Sequence, residues 1–216
     1  MQNHETNIIL DIQNLSCGYG GKPVIEGFSL KVARGESVAI VGPNGSGKST
    51  ILKAIYQLNI INSGTITYKS ILLNGKRPEE IKDLGISYFM QKNSIFPKLS
   101  ILENFLLSLG TANKALRNNK LLKINMLFPE ITQRLHRPAG LLSGGERQQL
   151  AMAMLLAQEA DLWLLDEPTA GLDDKNSEYF LNLLKEHAKD KTIIFVEHKT
   201  NIVNQLAKRT INLKNL

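Results

Sequence analysis

Cysteine is nearly absent from this chain of 216 residues: Cys17 is its single example, so no internal disulfide can form, and the composition suits a reducing compartment. Long apolar runs are missing too. The longest uninterrupted one, Leu150 to Ala157, is eight residues, against the roughly 18 or more that a membrane-crossing helix needs. No membrane span is therefore expected. Met1-Gln2-Asn3-His4-Glu5 offers no basic start leading into an apolar stretch, so no secretory signal is expected either. There is no internal repeat and no low-complexity segment. His4, His136, His187 and Cys17 lack metal-ligand spacing and read as structural or solvated.

What is present is ordinary for a globular α/β domain: 43% hydrophobic and 21% charged residues, enough to bury a sizeable core in one domain. Short β-branched runs alternate with helical patterns. Strands are predicted at Ile8 to Ile12, Phe28 to Val32, Ser37 to Val41, Thr65 to Tyr68, Ile86 to Phe89, Leu162 to Leu165 and Thr192 to Val196. Helices are predicted at Lys48 to Leu58, Ile101 to Leu109, Asn113 to Phe128, Gly145 to Gln158, Asp174 to Ala188 and Asn201 to Ala207. Fully apolar strands such as Val38-Ala39-Ile40-Val41 and Leu162-Trp163-Leu164-Leu165 predict burial on both faces, the habit of parallel sheets covered by helices. The stretch 96–140 lacks strand patterns and reads as an inserted helical segment broken at Gly110, Pro129 and Pro138.

Chemistry enters directly after the strand Ser37 to Val41. Gly42-Pro43-Asn44-Gly45-Ser46-Gly47-Lys48-Ser49-Thr50 matches G-x-x-x-x-G-K-[ST] and opens a helix, the pattern of the phosphate-binding loop. Its glycines let backbone N–H groups turn inward around phosphate oxygens, and the helix that follows adds its positive end. Lys48 supplies a point charge for the β- and γ-phosphates, and the Ser49 hydroxyl is a candidate Mg²⁺ ligand. A second buried strand, Leu162-Trp163-Leu164-Leu165, ends in Asp166-Glu167. Asp166 is placed to complete the Mg²⁺ shell beside Ser49, and Glu167 is a candidate general base for the attacking water.

Leu142-Ser143-Gly144-Gly145-Glu146-Arg147-Gln148-Gln149-Leu150 resembles the signature of ATP-binding cassette (ABC) ATPases. The resemblance covers nearly the whole chain, in the family's order. It implies a P-loop NTPase of the ABC ATPase fold, α/β, with a RecA-like core, an N-terminal antiparallel β subdomain and an inserted α-helical subdomain. The division it implies is a single domain, 1–216, with the α/β core and β subdomain in 1–95 and 141–216, the helical subdomain in 96–140 and the signature helix at 143–158. By the same resemblance Tyr19 looks like the aromatic on which adenine stacks, Gln91 like the glutamine that senses Mg²⁺ and water, Asp173 like the D-loop acid, and His198 like the switch histidine at the γ-phosphate. ATP and Mg²⁺ are the implied cofactors.

Ser143, Gly144 and Gly145 open a helical pattern, so they form a second anion site in the same chain. The family's explanation is a head-to-tail pair of cassettes, identical or distinct, in which Ser143, Gly144, Gly145 and Glu146 of one reach the ATP held by Lys48 of the other. The implied role is the cytoplasmic ATPase subunit of a transporter, peripheral on the membrane, working with permease subunits and a substrate-binding protein. Tyr88-Phe89-Met90-Gln91, Ile95 to Ser100, Glu103-Asn104 and Leu127 to Glu130 are similar to the branched-chain amino acid and urea or amide importer group. Two departures stand out: Met154 replaces the usual arginine after the signature, and the chain ends just past a strand expected at Thr210 to Leu213, where relatives continue into a hairpin.

A competing reading is a cassette ATPase acting on nucleic acid or ribosomes. Such members carry long coiled coils or two cassettes with a charged linker, which do not fit 216 residues without sustained heptads, so no nucleic-acid partner is expected. A small-molecule kinase would have no use for the signature. The net charge of +6 is concentrated: residues 96–140 hold seven cations against two acids, which is the pattern of a docking face for acidic partner loops or anionic headgroups.

Overall fold

A computed structural model describes residues 7–20, 22–91, 94–109 and 114–213. His4, Gly21, Gly110 and the expected helix start at Asn113 lie outside these residues. Backbone contacts divide the chain into two compact units: 1–88, 160–168 and 181–216 form one, and 89–159 with 169–180 form the other.

The first unit contains two sheets. The antiparallel one is built on two long strands, β1 (Ile8–Tyr19) and β2 (Lys22–Ala33). It continues through β4 (Ile60–Tyr68) and the two-residue β5 (Ile71–Leu72) in the order β2-β1-β4-β5. β1 runs seven residues past its expected end, because the polar Gln13-Asn14 step that reads as a stop is absorbed as a register shift between Ile12 and Leu15. Gly64 of β4 crosses β1 there at φ +82°, and a Cβ on it would lie 2.4 Å from the carbonyl oxygen of Asn14. Only glycine fits that crossing.

The other sheet has the order β6 (Ile86–Phe89), β7 (Leu162–Asp166), β8 (Thr192–Val196), β3 (Ser37–Val41), β9 (Arg209–Asn212). β7 pairs with β8, β8 with β3 and β3 with β9, all in parallel. β7 and β8 are buried along their whole length, as their unbroken apolar sequences predict. α1 (Lys48–Ile55) packs beneath β1, β7 and β8 and buries Ile51, Leu52, Ala54 and Ile55. It stops three residues short of its expected end, at a C-cap on Tyr56, where the Tyr56 N–H bonds the Leu52 carbonyl and the Gln57 N–H bonds that of Ala54. The remaining helices are α2 (Pro78–Asp83), which was too short to show a period, and α8 (Thr200–Leu206).

The second unit is helical among its described residues, apart from the end of β6. α3 (Ile101–Leu109) packs on α6 (Gly144–Ala157), with α4 (Lys114–Leu127) and the single turn α5 (Pro129–Thr132) beside them. Asn104 ties the entrance of α3: fully buried, it donates to the carbonyls of Phe96 and Ser100, both at 2.9 Å, and accepts the Phe96 N–H at 2.6 Å. Met154 is buried in α6, so this departure from the expected arginine is part of the packing here. α7 (Asp174–His187) starts in this unit and finishes in the first. No helix among the described residues is long and apolar enough to cross a membrane.

Candidate active site

Three neighbouring strands, β7, β8 and β3, end on the same side of the parallel sheet, which is where ligands bind in open α/β folds. Each delivers one piece of the site in the first unit. From β3 comes the loop 42–47. Gly45 and Gly47 adopt φ +80° and +90°, and a Cβ on Gly47 would fall 2.4 Å from Ile25 Cδ1. Glycine is required at 47 both for the backbone and for space. The Lys48 ammonium bends back over the loop and donates to the carbonyls of Gly42 at 3.1 Å and Pro43 at 2.8 Å, although Lys48 as a whole is buried. Ser46 Oγ is buried with no hydrogen-bond partner among the described residues. A cradle with a buried cation and an unsatisfied hydroxyl fits a polyphosphate.

From β7 comes Asp166, whose two carboxylate oxygens are both engaged. Ser49 donates to Oδ1 at 2.7 Å, and the Tyr88 phenol at the end of β6 donates to Oδ2 at 3.2 Å. Burial raises the Asp166 pKa, while the bonds from Ser49 and Tyr88 pull it down. The Tyr88 phenol is pushed far up, first by burial and then by the Asp166 charge, so it stays a donor. A serine hydroxyl and a carboxylate in contact form the hard oxygen pair that Mg²⁺ selects, so the residues present fit that ion.

Glu167, next in the chain, sits at φ +49°, a left-handed conformation uncommon for a residue with a side chain. Its N–H is held by the Val196 carbonyl at 3.0 Å. From β8 comes His198, whose Nε2 lies 3.1 Å from Glu167 Oε1. The intervening Glu197 is buried, and its Oε1 accepts the N–H groups of His198 at 2.8 Å and Lys199 at 3.2 Å, which fixes the turn that presents the imidazole. Tyr19, at the end of β1, keeps an exposed ring, and the Lys53 ammonium donates to its hydroxyl at 3.2 Å.

The other expected site residues belong to the second unit. Ser143 caps α6: its Oγ accepts the Glu146 N–H at 3.3 Å, while its own N–H donates to Glu146 Oε2 at 2.8 Å. Glu146 also receives Arg134 at 2.7 Å. Its carboxylate is thus committed within the cap, and the Ser143 N–H holds its pKa below the usual value. Gly144 and Gly145 form the first turn with nothing within 4 Å of where a Cβ would stand. Asp173 caps α7 by accepting the N–H and side-chain amide of Asn176 at 2.8 and 2.9 Å. Gln91 lines a cleft of about 470 Å³ with Phe89, Pro97, Gly144 and Arg147.

The ABC transporter family profile matches residues 25–170, a span that includes the loop 42–50, the Ser143 cap and Asp166-Glu167. The chain belongs to the ABC transporter family. This cassette is 35% identical over 85% of its length to the probable branched-chain amino acid transport ATP-binding protein LivF of Archaeoglobus fulgidus, covering 78% of that protein. It is 31% identical over 94% of its length to the glutamine transport ATP-binding protein GlnQ of Escherichia coli, covering 86% of it. Among solved structures it matches an ATP-binding cassette captured as a dimer after hydrolysis with ADP and phosphate, at 28% identity, a TM-score of 0.83 and 94% coverage of each chain. The ABC ATPase fold expected from the signature is the fold observed, and the cassette is an ATPase that uses ATP with Mg²⁺. Two residues at the site were not expected there: Tyr88, which the sequence offered only as part of the importer-like stretch Tyr88 to Gln91, and Lys53. The placement of β6 beside β7, and of α1 beneath β1, brings them in.

Proposed function

We propose that this cassette is the ATP-hydrolysing subunit of an importer, paired head-to-tail with a second cassette and seated on membrane-spanning subunits carried by other chains. The observation that carries the reading is that one chain holds two complementary half-sites. Its first unit offers a phosphate cradle with a Ser49–Asp166 pair and a Glu167–His198 pair; its second offers a capped helix start at Ser143 with two open glycines. In this reading each half would cover one side of a triphosphate. The relatives named above are themselves transport ATP-binding proteins, and the structural match is itself dimeric.

In this reading the backbone N–H groups of Gly42, Asn44, Gly45, Ser46, Gly47 and Thr50, together with Lys48, bind the phosphates, Pro43 shapes the loop that carries them, and Tyr19 stacks on the adenine. Ser49, Asp166 and Gln91 hold Mg²⁺, which when bound neutralises charge on the β- and γ-phosphates. Glu167 takes a proton from the attacking water, and His198 holds that carboxylate in place and contacts the γ-phosphate. Asp173 sits in the turn at the dimer face. Amino acids or amides are the favoured cargo, in line with the names of the relatives. A chain that supplies no spanning helix among its described residues acts from the cytoplasmic face through its permease partners.

Copurification tests this. Isolated in mild detergent, the cassette should bring down a membrane-embedded protein. Recovery of ribosomes or DNA instead would overturn the transport role in favour of the competing reading.

A further inference from the structure

We propose that Tyr88 is a positioning residue for Mg²⁺: its phenol locks the Asp166 carboxylate in the orientation that binds the ion. The proposal rests on the reading of Asp166 and Ser49 as the Mg²⁺ pair. Asp166 closes a buried strand and receives two hydroxyl donors, Ser49 on Oδ1 and Tyr88 on Oδ2. These donors are not equivalent. A Ser49 hydroxyl that ligates Mg²⁺ gives an oxygen lone pair to the ion, so its place beside Oδ1 is shared between the ion and Asp166. The Tyr88 bond is on the other oxygen and can persist throughout. It leaves Oδ1, the oxygen facing Ser49, for the metal.

Tyr88 is built to stay where it is. It sits in β6, next to β7 in the sheet, with its ring tilted at 46° against Tyr56 and the centroids 5.5 Å apart. The rings are carried by different elements, β6 and the C-cap of α1, the helix that also bears Ser49. A partner that orients a metal-binding carboxylate from behind sets how much of its affinity is realised, because an untethered carboxylate loses rotamer freedom on binding.

The test is the Mg²⁺ dependence of nucleotide affinity in Tyr88→Phe, which keeps the ring and its Tyr56 contact and deletes only the hydroxyl. A fluorescent ADP is titrated into the cassette with saturating Mg²⁺ and again with EDTA, beside wild type and Asp166→Asn. Tyr88→Phe should leave the EDTA affinity within about twofold of wild type and reduce the gain from Mg²⁺ by about tenfold, the scale on which partners of metal ligands act. Direct Mn²⁺ binding with ADP, read by electron paramagnetic resonance, should weaken in parallel. A wild-type gain in Tyr88→Phe with a lost gain in Asp166→Asn overturns the role of Tyr88 and leaves the metal site standing. A wild-type gain in both overturns the metal assignment and the proposal together. A fall in both arms of the Tyr88→Phe titration shows a packing role and also overturns it.

Discussion

Glu167 shows at the level of a single residue how the fold prepares chemistry. The strand β7 delivers two adjacent acids, and a side chain in an extended strand would alternate faces, sending Asp166 and Glu167 apart. The left-handed turn at Glu167, anchored on Val196, completes that separation: Asp166 stays with Ser49 and Tyr88, and Glu167 swings to His198. In the proposed function one acid goes to the metal and the other to the proton. Glu167→Gln keeps the shape and removes the base, so ATP affinity should stay within about twofold while phosphate release falls by about 100-fold or more, the usual contribution of a positioned general base. Steady-state turnover and nucleotide titration on the same preparation read both quantities. Unchanged turnover would remove Glu167 from that role.

Among the elements, the ones whose boundaries were legible are those whose local pattern and tertiary role agree. β3, β6, β8 and α3 begin and end where β-branched or apolar runs begin and end. β1 and β2 extend well beyond their apolar cores, because antiparallel partners supply hydrogen bonds to polar and glycine-bearing segments that no run of side chains would hold extended. The site follows the same division. Lys48 and Ser49 were legible from the fixed phosphate-loop motif that follows β3, and Asp166 and Glu167 from the end of β7, whereas the contact of Tyr88 with Asp166 depends on which strand lies beside β7, and strand order is not written in local sequence.

Cys17 lies near the C-terminal end of β1. It is fully buried, and burial pushes its thiol from an ordinary 9.0 up to about 11. The thiolate is the reactive form, so native protein at about pH 8 should resist alkylation at Cys17 and react only after denaturant is added. The sign of the stability effect follows. Above 9.0 the unfolded chain loses the thiol proton while the folded one keeps it up to about 11, so this contribution to stability is intact below 9.0 and declines between the two values as pH rises. Rapid alkylation of native protein, or stability that rises across that window, would contradict the burial of β1.

Over the whole molecule, charge and anion sites are distributed by unit. The basic excess predicted for residues 96–140 is partly internal: Lys120 pairs with Glu159 at 3.1 Å and Arg134 with Glu146 at 2.7 Å. Among the described residues Lys98, Lys123 and Arg137 remain exposed, and on the docking reading they would face a partner. The second anion site, at Ser143, is exposed at a helix start with its hydroxyl already oriented by the cap. Such a site makes sense if it closes over a triphosphate presented by another cassette, and that pairing is the centre of the account. Its most direct test is sedimentation of the Glu167→Gln cassette with the partner cassette it copurifies with, whether a second copy or a distinct chain, with and without ATP. The account predicts that ATP drives single cassettes into pairs, and that adding Ser143→Arg keeps them single while nucleotide affinity stays near that of the parent. Pairs that form equally well with arginine at position 143 would contradict it.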